Sequence, residues 1–231
     1  MKKYELTAEF IEKWGKKLFR IKALISFGSV EAGELGGYVE KEDNLAQDGD
    51  AWVCGDAWVC GNARVYGNAR VYGDAWVCGN ARVYGNAEVY GDAEVCGNAR
   101  VYGNARVYGD AWVCGNARVY GNARVCGDAE VYGNAEVCGD AWVYGNADYL
   151  LIGRIGSRFS FTTFFKNKDK GITVSCGCFL GTIAEFRAKV TDTHGNNKHA
   201  KIYNLAADMA ELQILGEEYF DKLNTNKSEP F

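Results

Sequence analysis

The sequence predicts a mainly β fold: a triangular parallel β-helix of eighteen residues per turn, with an N-terminal cap and a small C-terminal ββαα domain. Three observations predict it. From Gly49 to Tyr144 every hexad reads Gly-(Asp/Asn)-Ala-x-Val-(Tyr/Cys), sixteen times without a skip. The variable positions then repeat at every third hexad. Both flanks depart from the rule, and every Lys, His, Pro and internal Met lies in them.

A fixed short period is the mark of a solenoid, in which each unit packs on its neighbours. Gly with Asp or Asn forms the corner, because these residues tolerate positive φ. Ala-x-Val reads as a short strand with Ala and Val on one face. The second period sorts the corners and walls into columns. Asp56, Asp74, Asp92, Asp110 and Asp128 form one corner file, and Asn62, Asn80, Asn98, Asn116 and Asn134 another. Three hexads therefore make one turn, and like residues stack at about 4.8 Å between turns. The core consists of Ala and Val, each buried Val contributing at most about 1.5 kcal/mol, so hydrogen bonds between turns carry much of the order. Open strand edges at both ends of the rod need covers.

The flanks supply them in order. Residues 1–36 form an N-terminal cap, read as a short helical start from Ala8 to Trp14 and a strand-like run from Leu18 to Leu24. The β-helix spans 37–152, with 37–48 as an imperfect first turn before the regular hexads. Residues 153–215 form the C-terminal domain. In it, Arg158 to Lys166 and Ile172 to Cys178 alternate as a hairpin, with Phe159, Phe161 and Phe165 on one side. Thr182-Ile183-Ala184-Glu185 is a capping box that opens a helix with Ile183, Phe186 and Val190 on one face, and Gly195 suits its end. A second helix follows, its apolar face read as Ile202, Leu205, Met209 and Leu212. Residues 216–231 read as a tail.

The hexad pattern resembles the hexapeptide-repeat family, and the resemblance implies a left-handed coil. The flanking stretches Leu35-Gly36-Gly37-Tyr38-Val39-Glu40, Asn44-Leu45-Ala46-Gln47 and Cys176-Gly177-Cys178-Phe179 resemble small repeat proteins of phages and prophages, a group without an established activity. Members of the wider family are often acyltransferases that use a His, and they often trimerise.

Composition bounds the function. At 231 residues, 48% hydrophobic and with one Pro, the chain suits an ordered solenoid with caps. A net charge of −4 implies neither bulk nucleic-acid binding nor membrane attraction. The N-terminus lacks an apolar leader core, and nine Cys without one read as reduced thiols in a cytoplasm. Residues 49–144 hold seven Arg against seven Asp and four Glu.

No catalytic residue is assigned and no cofactor is expected. The hexads contain no His, so acyl transfer is the alternative reading, resting on His194 or His199 in the last domain and calling for a pocket beside one of them. Cys176, Cys178, His194 and His199 have the residue types of a zinc site, but their Cys spacing is tight; packing thiols and surface His residues are the alternative. The Asp file would suit calcium or simply the corner. The reading carried forward is recognition. Arg64, Arg82, Arg100 and Arg118, with Tyr66, Tyr84, Tyr102 and Tyr120, present guanidinium and phenol groups to an anionic small molecule, a nucleotide-type ligand included, or to an acidic protein surface. Trp58, Trp76 and Trp112 form a second candidate face, for a protein partner, and a homotrimer would bury one of the faces. The alternative for both is side chains that stack on one another and stabilise the rod.

Overall fold

The computed structural model describes residues 2–217. Two antiparallel strands open the chain, β1 (Tyr4–Lys13) and β2 (Lys16–Ala23). The expected helix from Ala8 to Trp14 is therefore absent. Lys13 pairs with Lys16 across Trp14-Gly15, whose φ values of 47° and 70° are both positive, the geometry of a tight hairpin turn. Residues 8–13 are compatible with a helix locally, but the partner strand decides.

β3 (Leu35–Val39) joins this hairpin to the coil: it pairs antiparallel with β2 and parallel with Trp58-Val59. Leu45 then bridges Val65, twenty positions on, whereas Val53 faces Val71 at the regular eighteen. The first turn is thus imperfect, as read, by a corner two residues longer than the rest. Beyond it the x-Val pairs form sixteen two-residue strands, β4 (Trp52–Val53) through β19 (Trp142–Val143), one every six residues.

These strands stack into three parallel walls. The first carries Tyr38, Trp58, Trp76, Glu94, Trp112 and Glu130 in register. The second carries Trp52, Arg70, Glu88, Arg106, Arg124 and Trp142. The third carries Arg64, Arg82, Arg100, Arg118 and Glu136. Every hexad Ala and Val is fully buried. The corner glycines have φ between 62° and 74°, and a Cβ on Gly97 would stand 2.9 Å from the backbone nitrogen of Gly115 in the next turn. Both the conformation and the rung spacing therefore demand glycine. Corner amides join in ladders: Asn62, Asn80, Asn98 and Asn116 each donate to the next, ending at Asn134, at 3.0–3.2 Å.

The N-terminal end is plugged. Tyr4 is buried, and its hydroxyl donates to the carbonyls of Glu42 and Leu45 at 2.8 Å. Lys3, also buried, donates to Ala51 O at 2.9 Å, and burial lowers its pKa to about 8 despite Asp48 and Asp50 nearby.

The C-terminal domain has four strands rather than two: β20 (Tyr149–Ile155), β21 (Ser160–Lys166), β22 (Ile172–Cys176) and β23 (Phe179–Thr182), an antiparallel meander. Short apolar runs bounded by turns hid the outer two. Gly177-Cys178 is a turn, which removes Cys178 from the strand face expected for it, and Phe159 sits exposed in another turn at φ 48°. β21 seals the rod because its neighbouring side chains point to opposite faces. Phe165 enters the solenoid core, while Phe164 enters the separate core of this domain.

α1 (Ile183–His194) begins with the expected Thr182–Glu185 capping box and ends at Gly195. α2 (Lys198–Leu215) is rotated from the sequence expectation. Ile202, Leu205, Met209 and Leu212 face outward, and Ala200, Tyr203, Ala206, Ala207, Ala210 and Ile214 are buried. Small residues allow close approach to α1 and the sheet, so packing overrides the larger apolar spacing. Part of the expected tail, 218–231, lies outside the described residues. Among the described residues no helix is long and apolar enough to cross a membrane.

Candidate functional site

The third wall brings together the Arg/Tyr set as register requires. Arg64, Arg82, Arg100 and Arg118 occupy successive rungs, all exposed. Two positions on, Tyr66, Tyr84, Tyr102 and Tyr120 stack with ring centroids 4.8–4.9 Å apart and planes within 6°. Parallel strands at the rung spacing force this stacking. Burial, with a smaller contribution from Tyr84, pushes Tyr66 and Tyr102 above the usual phenol range. Arg118 meets Glu136 at 3.3 Å; among the described residues no ion pair involves Arg64, Arg82 or Arg100. Each neighbouring pair of like charges at this spacing costs on the order of 1 kcal/mol in water.

The Trp column is less free than its spacing suggests. Trp58 and Trp76 stack at 4.6 Å, and Trp14, from the N-terminal hairpin turn, lies 4.7 Å from the first and 3.8 Å from the second. Leu18, Tyr38, Trp58 and Cys60 share a small core there. The chain's own hairpin therefore occupies two of the three indoles. Of the three column indoles, Trp112 is the exposed one, at 39%.

In the C-terminal domain, a cavity of about 410 Å³ opens beside His194. Phe179, Phe186 and Tyr203 line its floor, with Arg158 and Lys189 also on its lining. Cys176, Cys178 and His194 reach this cavity, and His199 does not. The two His rings lie 5.8 Å apart, and the Nδ1 of His199 is buried without a hydrogen-bond partner among the described residues. Burial raises the Tyr203 pKa to about 12. The Asp56, Asp74, Asp92, Asp110 and Asp128 carboxylates are exposed.

Among the described residues, one group of three potential metal donors converges within 4.8 Å: Cys78, Glu94 and Cys96. Sequence reasoning missed it. The available signal was a Glu interrupting the Trp column beside an unbroken Cys column.

Eighteen-residue rungs, three parallel walls and an Ala/Val interior define a β-solenoid repeat protein. Seven windows between residues 57 and 133 match the YdcK beta solenoid repeat, covering 57–91 and 93–133, about a third of the chain. The match lies wholly within the repeats, so similarity to that family is similarity of the coil. No curated protein matches the chain.

Proposed function

We propose that this solenoid is a non-enzymatic recognition scaffold whose third wall takes an anionic partner. One observation carries the reading: Arg64, Arg82 and Arg100 stand exposed and in register, without ion-pair partners among the described residues. An anion lying along the wall would relieve their mutual repulsion, and the rigid phenol stack beside them presets the geometry. Calorimetry with tripolyphosphate and a nucleotide panel tests it. Binding is expected, with at least about a tenfold loss on combined Arg82→Ala and Arg100→Ala, both exposed positions. Silence across the panel, or affinity indifferent to the two substitutions, retires the proposal. A homotrimer through this wall would instead appear in light scattering as a mass that falls on the same substitutions.

A second reading, acyl transfer, is favoured by the cavity beside His194 alone. Thiol release from acetyl-coenzyme A, lost on His194→Ala, would support it. No release would remove it.

A further inference from the structure

Glu94 stands between two indoles of the first wall. Its in-register neighbours are Trp76 and Trp112 on the turns either side. Two positions on, the adjacent column holds the thiols Cys60, Cys78, Cys96 and Cys114. Of the three other wall glutamates, Glu88 meets Arg106 at 3.2 Å and Glu136 meets Arg118 at 3.3 Å, while Glu130 stands exposed to water. Glu94 is half-buried, and among the described residues no ion pair reaches it. A carboxylate held partly out of water without a counter-charge is costly. What the position lacks is a cation.

The neighbours specify which kind. The Sγ atoms of Cys78 and Cys96 and a carboxylate oxygen of Glu94 lie within 4.8 Å of one another, all half-buried. Tetrahedral zinc, with bonds of about 2.3 Å to sulfur and 2.0–2.2 Å to oxygen, sets its donors roughly 3.5–3.8 Å apart. Two thiols with one carboxylate favour a borderline-soft divalent ion over calcium or magnesium, which take all-oxygen sites. The Nε1–H of Trp112 donates to Cys96 Sγ at 3.2 Å, the kind of outer contact that orients a metal-bound sulfur.

We propose that Cys78, Glu94 and Cys96 form a binding site for one zinc ion. Cys78 lies on one turn and Glu94 with Cys96 on the next, so the ion staples consecutive rungs of the first wall. Coordination converts two thiols to thiolates and releases their protons to solvent. Three protein donors leave the fourth zinc position to water. The site requires neither the Arg wall nor any chemistry at His194.

The full chain, reduced and stripped of metal, is titrated with zinc and read by native mass spectrometry. Cobalt serves as the optical probe through its thiolate charge-transfer band. One ion per chain is expected, with a visible cobalt band, proton release and a higher melting temperature. Cys78→Ser with Cys96→Ser should abolish the band. Trp112→Phe should weaken affinity about tenfold. Glu94→Gln, nearly isosteric, keeps the test decisive if the double Cys variant fails to fold: affinity falls while the circular dichroism spectrum stays. Cys114→Ser and Cys178→Ser should change nothing. The proposal is overturned if zinc does not bind, if binding is indifferent to Glu94→Gln, or if the band follows Cys176, Cys178 and His194 instead.

Discussion

The solenoid and the C-terminal domain solve the same problem with opposite materials. In the solenoid most side chains meet a copy of themselves: Val on Val in the core, Tyr on Tyr at 4.8–4.9 Å, Asn on Asn at the corners. Its interior is thin, and its order comes from parallel hydrogen bonds repeated at every rung. The C-terminal domain has unlike neighbours: Phe164 and Tyr203 each meet Phe186 edge-on, within a core otherwise rich in Ala. Repetition yields flat, regular walls, and heterogeneity yields a cavity. A flat wall and a cavity thus occupy different regions of one chain.

The largest expected effect breaks the comparison on the heterogeneous side. Phe164→Ala should cost about 3–5 kcal/mol, because the ring is fully buried and its neighbours are too dissimilar to close the gap. Thermal unfolding should then split, with the C-terminal domain melting first while the circular dichroism of the coil persists. A single unshifted transition would mean that the domain does not rest on this core. On the repetitive side, Gly97→Ala should cost about 1–3 kcal/mol, since a Cβ must be accommodated at φ 66° against the next turn. Urea melts would show it, and a neutral result would mean that the rungs can spread. The smallest effect lies at the seam. Tyr149 donates to Glu130 O at 2.6 Å, and burial raises its pKa to about 12. The folded state therefore keeps a proton that the unfolded chain loses near pH 10. The resulting stabilisation is complete below pH 10 and disappears as pH rises to 12, by about 1.4 kcal/mol at pH 11. Lys3, lowered to about 8, works the other way, adding stability as pH rises from 8 to 10.5. Comparing Tyr149→Phe with the parent from pH 9 to 11 cancels the Lys3 contribution. The variant should show the shallower alkaline loss, and parallel curves would mean that Tyr149 ionises freely.

The same division governs what could be read in advance. Arg64, Arg82, Arg100 and Arg118 were legible as one column because parallel stacking turns an eighteen-residue period into a distance. The Trp column was legible as a column but not as a covered one, since only the folded hairpin brings Trp14 onto Trp58 and Trp76. The N-terminal strand was misread for the same reason: its partner lies across a turn whose geometry outweighs local helix preference. α2 was rotated because Ile202, Leu205, Met209 and Leu212 satisfy a helical period as well as the smaller residues that pack. Glu94 was visible as an exception, yet only coordinates show its carboxylate converging with two thiols.

By itself the sequence determined the winding period, the Ala/Val interior, the glycine corners and the in-register columns, because each repeat meets its own copy one turn away and no other partner competes. Tertiary structure decided where the ends fold, which face of α2 is buried, which indoles are covered and where a cavity opens. Those outcomes depend on contacts between unlike segments, where shape complementarity chooses among several patterns that the chain permits equally.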